Sequence, residues 1–180
     1  GVGFFSTPFD KESVDYLNGI DTALYKIASF DVVNHQLLKE VAKTGKPVIL
    51  SVGMSSFNEI KAAYEILREG TKNIAILHCI SSYPTKEEDA KLSNIFKLQS
   101  EFDCVIGQSD HTNDIQVPLY AAAAGAQILE KHFKIDDDFE CVDAPVSITE
   151  VQMKKLVEET RKLESIFGSE EFGLREAEQG

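Results

Sequence analysis

The chain has 180 residues, 43% of them hydrophobic and 27% charged, a balance that suits one well-buried globular domain and excludes a disordered chain. With 30 acidic against 18 basic residues the formal charge is -12, so long-range repulsion opposes a general nucleic-acid or anionic-membrane surface, and any anionic ligand needs a locally positive pocket. No apolar run approaches the ~20 residues of a membrane span, and the opening GVGFFSTPFD lacks the basic region and cleavage site of a signal peptide, so a cytoplasmic location is expected.

In chain order, VGFFST (residues 2 to 7) reads as a first strand and residues 10 to 18 as a helix. LYKIAS (24 to 29) is a second strand, followed by a helix over 35 to 44 with His35 at its exposed start, and PVILSV (47 to 52) is a third. Ser56 and Glu59 have capping-box spacing, and Ile60, Ala63, Tyr64 and Leu67 share one face, which predicts a helix over 57 to 69. IAILHC (74 to 79) is the fourth strand, TKEEDAK (85 to 91) a solvated loop, and 93 to 102 a helix. CVIGQS (104 to 109) precedes a helix over 115 to 124, where Pro118 is tolerated near the start. ILEKHF (128 to 133) is the sixth strand, and Asp136, Asp137 and Asp138 form a solvated turn. Val151, Leu156, Val157, Leu163, Ile166 and Phe167 give a stripe on a last helix over 149 to 167 that Gly168 stops. Residues 169 to 180, SEEFGLREAEQG, have no core face and read as a polar linker after a domain spanning 1 to 168.

The strand runs are short and continuously apolar, as parallel strands covered on both faces are. Six β/α units fit either a doubly wound sheet or a (β/α)8 TIM barrel. Polar residues close one strand after another: Ser6 and Thr7, Ser29, Ser51, His78 with Ser81 and Ser82, Ser109 with His111, then His132. An open sheet gathers ligand groups at one switch point, whereas a barrel gathers them from every strand at its C-terminal mouth, so an incomplete barrel is the expected α/β fold. Cys79, Cys104 and Cys141 are odd in number and lack paired spacing, so reduced and mostly buried thiols are expected.

His111 and His132 end neighbouring strands, where two neutral imidazoles could bind a divalent metal; the same positions also suit hydrogen-bonded structural histidines. His78 is open to a core or a site role. Lys26 and Lys131 lie inside apolar strands, which is costly for a lysine unless it is paired or used. Anion binding, a Schiff-base nucleophile and a lysine whose stem packs while its ammonium reaches solvent all remain open for them. Ser29, Ser51 and Ser109 at equivalent strand ends favour anion binding.

FFSTPFD, YKIAS, GKPVILSVGMSS, LHCISSYPTKEED, GQSDHT and LEKHF, in this order, resemble the strand-end motifs of the sialic acid synthase family, and SDHT followed by EKHF is the most specific pair. That family includes N-acetylneuraminate synthases, makers of other nonulosonic acids and enzymes of spore-coat polysaccharide synthesis. The resemblance implies a (β/α)8 barrel that condenses phosphoenolpyruvate with an N-acylated hexosamine and uses a divalent metal such as Mn2+ or Mg2+. It implies metal ligation by His111 and His132, a phosphoenolpyruvate shell of Thr7, Lys26, Ser29, Ser51, Ser81 and Ser109, and sugar contacts from Tyr83 and Asp143. Asp110 and Thr112 would hold the loop. By the same resemblance the six strands are the third to eighth of the barrel, the parent enzyme is a homodimer, and an acidic group and a further lysine belong to strands outside this chain. Residues 1 to 180 alone are therefore expected to be inactive. Val52, Lys134 and FECVDAPVS depart from the family pattern, and the last change, beside Asp143, leaves the sugar open. A Schiff-base aldolase using Lys26 or Lys131, and a non-catalytic sugar-phosphate-binding barrel, are the alternatives.

Overall fold

A computed structural model describes residues 2–169, 172–174 and 176–178. Helices and strands follow one another as α1 (Lys11–Gly19), β1 (Tyr25–Ile27), α2 (His35–Lys43), β2 (Val48–Ser51), α3 (Phe57–Arg68), β3 (Ile74–Cys79), α4 (Ser93–Glu101), β4 (Val105–Asp110), α5 (Gln116–Ala123), β5 (Leu129–Phe133), β6 (Ser147–Ile148) and α6 (Glu150–Phe167). The strands pair in sequence order, β1-β2-β3-β4-β5-β6, and every pairing is parallel. A doubly wound sheet reverses its order at a switch point. This one does not: it curls as part of a barrel, with its helices on the outer face.

Local signals account for the helices. Ser56 Oγ accepts from Glu59 N while the Glu59 carboxylate accepts from Ser56 N, the reciprocal cap that the spacing predicts. Asp10 and Asn34 cap α1 and α2 without that reciprocity, each side chain accepting a backbone N–H of the first turn. Gly168 ends α6 at a positive φ of 59°. Strand alternation then divides the residues. Tyr25, Ile27, Leu50, Ile76 and Ile106 face the helices and join Leu38, Val41, Leu67 and Ile95 in one core, while the intervening residues line the concave face.

One strand expectation is corrected and one strand is added. Residues 2 to 7 form no strand but a single bridge, Ser6 to Tyr25, with Lys26 N donating to Ser6 O at 3.4 Å. Val2 and Phe4 are almost fully exposed, so the apolar run gains no burial to hold a ladder. ILEKHF does form a strand, Leu129–Phe133, and beyond it lies one that was not expected, Ser147–Ile148, which pairs His132 with Ser147 and Phe133 with Ile148; two residues carry no readable alternation. The stripe expected on α6 is mostly exposed, with Leu156 its one buried residue among those described, because α6 packs chiefly on α5. Cys141 is exposed, contrary to expectation, while Cys79 is buried and Cys104 half-buried. Of the linker assigned to 169 to 180, residues 170, 171, 175, 179 and 180 lie outside the described residues, and Phe172 and Leu174 are exposed. Among the described residues no helix is long and apolar enough to cross a membrane.

Gly107 lies on the concave face two residues before Ser109, and a Cβ there would meet Ile128 O at 2.4 Å and the Leu77 side chain at 2.7 Å. Backbone cannot step aside as a flexible side chain can. Gly107→Ala should therefore destabilise the fold by about 1–3 kcal/mol in urea denaturation, and an unchanged midpoint would refute this packing.

Candidate active site

The C-terminal ends of the strands frame a cavity of about 380 Å³ lined by Lys26, Ala28, Ser29, Phe30, Ser51, Met54, Cys79, Ser81, Tyr83, Ser109, His111, Glu130 and His132. Eight of the ten residues singled out from the sequence thus converge on one space. Asp143 approaches from its rim, and Thr7, half-buried beyond the Ser6 bridge, lies outside the lining.

Lys26 is 8% exposed and is the one Lys or Arg in the lining among the described residues. Its Nζ donates to Ser51 Oγ at 2.7 Å and to Ile27 O at 3.1 Å, and stands 3.6 Å from Glu130 Oε1. Burial pulls the Lys26 ammonium down from its ordinary pKa, and the Glu130 carboxylate opposes that pull. Ser109 Oγ donates to the same Glu130 oxygen at 2.7 Å, and Ser29 Oγ accepts from Gly53 N at 2.9 Å. The result is a lysine and several hydroxyls in a small volume, within a strongly acidic chain.

His111 and His132 stand side by side, their ring centroids 5.3 Å apart. His111 Nδ1 lies 2.8 Å from Ile80 O; a carbonyl only accepts, so this nitrogen carries the hydrogen and Nε2 keeps the lone pair in the neutral ring. His132 Nδ1 faces Asp143 Oδ2 at 3.5 Å. Burial lowers the pKa of both imidazoles, and for His132 the neighbouring His111 lowers it further. Tyr83 stacks on His111 at 4.0 Å between centroids and meets His132 edge-on at 5.6 Å. Desolvation of its half-covered ring pushes its phenol up to about 12.

Asp143 reaches His132 through β6. Register pairs Ser147 with His132, and Ser147 Oγ donates to Asp143 O at 2.7 Å, so the strand that the sequence concealed is the element that returns this carboxylate to the site. Among the described residues no three His, Cys, Asp or Glu side chains converge in a metal-binding group. A cation held here would have two protein ligands and take the remainder from substrate or water.

Several residues fall elsewhere. His78 belongs to the core, its Nε2 2.7 Å from Ala90 O, and His35 is exposed. Lys131 points away from the cavity and ion-pairs with Asp110 at 2.6 Å, its side chain 1% exposed, which removes it as a Schiff-base nucleophile for a substrate in this space. Glu130 was missed as a site residue. Its signal was available, because a residue two before His132 on one strand shares its face.

Parallel strands curled around a concave face, with polar side chains at their C-terminal ends, define part of a (β/α) barrel with a candidate site at its strand mouth. Residues 1–172 match the NeuB family, and the chain belongs to that family. It is 45% identical over 172 residues to an uncharacterised protein of Methanocaldococcus jannaschii, covering 95% of this chain and 51% of that protein. It is 37% identical over 179 residues to the N,N'-diacetyllegionaminic acid synthase of Campylobacter jejuni, covering 98% and 53%. The chain therefore spans about half the length of the curated relatives it matches. Among solved structures, the N-acetylneuraminic acid synthetase of Leptospira borgpetersenii superposes with a TM-score of 0.94 at 40% identity, over 99% of this chain and 62% of that one.

The lowered histidine pKa values fix the sign of a pH effect. His78, like His111 and His132, is lowered chiefly by burial, so the unfolded chain binds more protons than the folded one around pH 6.5. Stability is fully present above about pH 6.5 and is lost as pH falls through the folded values. Denaturation midpoints taken from pH 7.5 down to pH 5 should fall; a flat profile would mean that these rings are not buried neutral.

Proposed function

We propose that this chain forms most of the active site of an enzyme that condenses phosphoenolpyruvate with an N-acylated hexosamine, giving a sialic acid-type nonulosonic acid and phosphate. The observation that carries the reading is the juxtaposition in one cavity of a buried ammonium with three strand-end hydroxyls on one side and two neutral imidazoles on the other. The first set suits a phosphorylated carboxylate, the second a polarised carbonyl. Relatives whose names are those of legionaminic and N-acetylneuraminic acid synthases support the same reaction.

In this reading Lys26, Ser51, Ser29 and Ser109 hold the anionic groups of phosphoenolpyruvate, with Ser81 beside them in the same lining and Thr7 outside it. The Glu130 carboxylate opposes the lowering of the Lys26 pKa by burial, which favours positive charge in the pocket where the chain as a whole repels anions. C3 of phosphoenolpyruvate attacks the aldehyde carbon of the open-chain sugar. Water adds at C2, and the tetrahedral product loses phosphate by cleavage of its C–O bond. Tyr83 and Asp143, at the rim beside the imidazoles, orient the sugar.

The donor set fits a divalent cation such as Mn2+ or Mg2+. His111 and His132 would hold it, the first through Nε2, since its Nδ1 is spent on Ile80 O and that of His132 faces Asp143. Such an ion supplies Lewis-acid polarisation of the aldehyde oxygen.

Three measurements on the intact protein test this. Phosphate release from phosphoenolpyruvate should require an N-acylated hexosamine from a panel, and Lys26→Ala should raise the KM for phosphoenolpyruvate at least about tenfold, more than that for the sugar, with Lys26→Arg a partial rescue. Borohydride trapping of pyruvate on Lys26 without metal would favour the aldolase instead. Mn2+ titration should show loss of affinity in His111→Ala, and in the wild type as pH falls through the imidazole range; equal binding by the variant would remove the cation from this site.

A further inference from the structure

We propose that Asp110 and Lys131 are positioning residues for the two imidazoles, a buried clamp behind the sheet that sets the separation of His111 and His132 and thereby the affinity of the cation site. The inference rests on the cation reading above and extends it to two side chains that touch neither cation nor substrate.

Asp110 and Lys131 are direct register partners across β4 and β5, and each immediately precedes one of the imidazoles. Alternation sends both to the face opposite the cavity. There Lys131 Nζ lies 2.6 Å from Asp110 Oδ2, with side chains 1% and 3% exposed. The same oxygen accepts from Thr112 N at 3.1 Å and from Thr112 Oγ1 at 2.7 Å, and Asp110 Oδ1 accepts from Gln108 Nε2 at 3.2 Å. Lys131 Nζ donates also to Thr112 O. His111 is thus bracketed. The residues on either side of it are tied to one carboxylate and one ammonium, and that ammonium belongs to the residue before His132.

The backbone ladder alone is a weak guarantee of this geometry. β5 is bound to β4 through Gln108–Leu129, Ser109–Glu130 and Asp110–Lys131, and to β6 through two pairs, and its residues are only partly buried. A slip of the β5 end would move His132 relative to His111 without touching either ring. Buried ion pairs add little net stability compared with apolar replacements, because desolvation offsets attraction. What a network gathered on one carboxylate does supply is a fixed arrangement, and partners behind metal ligands typically change affinity ~10- to 100-fold.

The test uses Mn2+ alone as probe, followed by electron paramagnetic resonance, and the visible absorption of bound Co2+ as a reporter of ligand geometry. Asp110→Asn should weaken Mn2+ binding ~10- to 100-fold and shift the Co2+ bands while the fold persists. The double variant Asp110→Asn with Lys131→Met leaves no uncompensated charge, so it should recover thermal stability but not affinity. It decides the matter even where the single variant fails to fold. Wild-type affinity and Co2+ spectrum in the folded double variant would overturn the clamp, since a merely structural pair predicts that outcome. His111→Ala separates the two levels: unchanged Mn2+ binding there refutes the cation reading and the clamp with it, whereas loss there beside wild-type binding in the double variant refutes the clamp alone.

Discussion

The parallel pairing of β4 with β5 fixes two chemically different faces at once. Ser109 stands opposite Glu130 on the concave side, and Asp110 stands opposite Lys131 on the outer side. A shift of one residue would exchange them, placing the ion pair in the cavity and the serine among the helices. Much of the site follows from this register, because His111 and His132 continue the same two strand ends and inherit their spacing from it. Gly107, two residues earlier, permits the close approach of Ile128 that the register needs.

Electrostatics of the cavity are set by balance rather than by accumulation of positive charge. The chain carries -12, and among the described residues the lining contains one lysine with a carboxylate beside it. Desolvation draws the Lys26 pKa down and Glu130 resists. That arrangement holds the Lys26 side chain, 8% exposed, beside the strand-end hydroxyls, where a hydrogen bond to an oxyanion is worth more than at the surface. The imidazoles obey the opposite logic: burial lowers their pKa and favours the neutral rings.

The segment after β5 couples the two. Its course from Phe133 to Ser147 is largely exposed, yet it returns to form β6 and brings Asp143 to His132. Exposed connections tolerate change in sequence while the strands beneath them hold the geometry. FECVDAPVS, residues 139 to 147, lies in this connection and contains both Asp143 and Ser147, whose Oγ donates to Asp143 O.

What the sequence determined by itself was local. Capping at Ser56 and Glu59, the stop at Gly168, the continuous apolar strands and the polar residues that close them are written within a few residues of one another, so the alternation of strands and helices and most of the cavity lining were legible. Whatever depends on partners distant in the chain was not. Residues 2 to 7 are as apolar as a strand but make only one bridge, whereas Ser147 and Ile148, too few to show a period, become a strand because β5 offers them an edge. Lys26 and Lys131 lie in equally apolar runs. Only the sheet, by turning the first into the cavity and the second against Asp110, decided which is available to a ligand and which is held, since a side chain's face has chemical meaning only once the neighbouring strand and the layer behind it are in place.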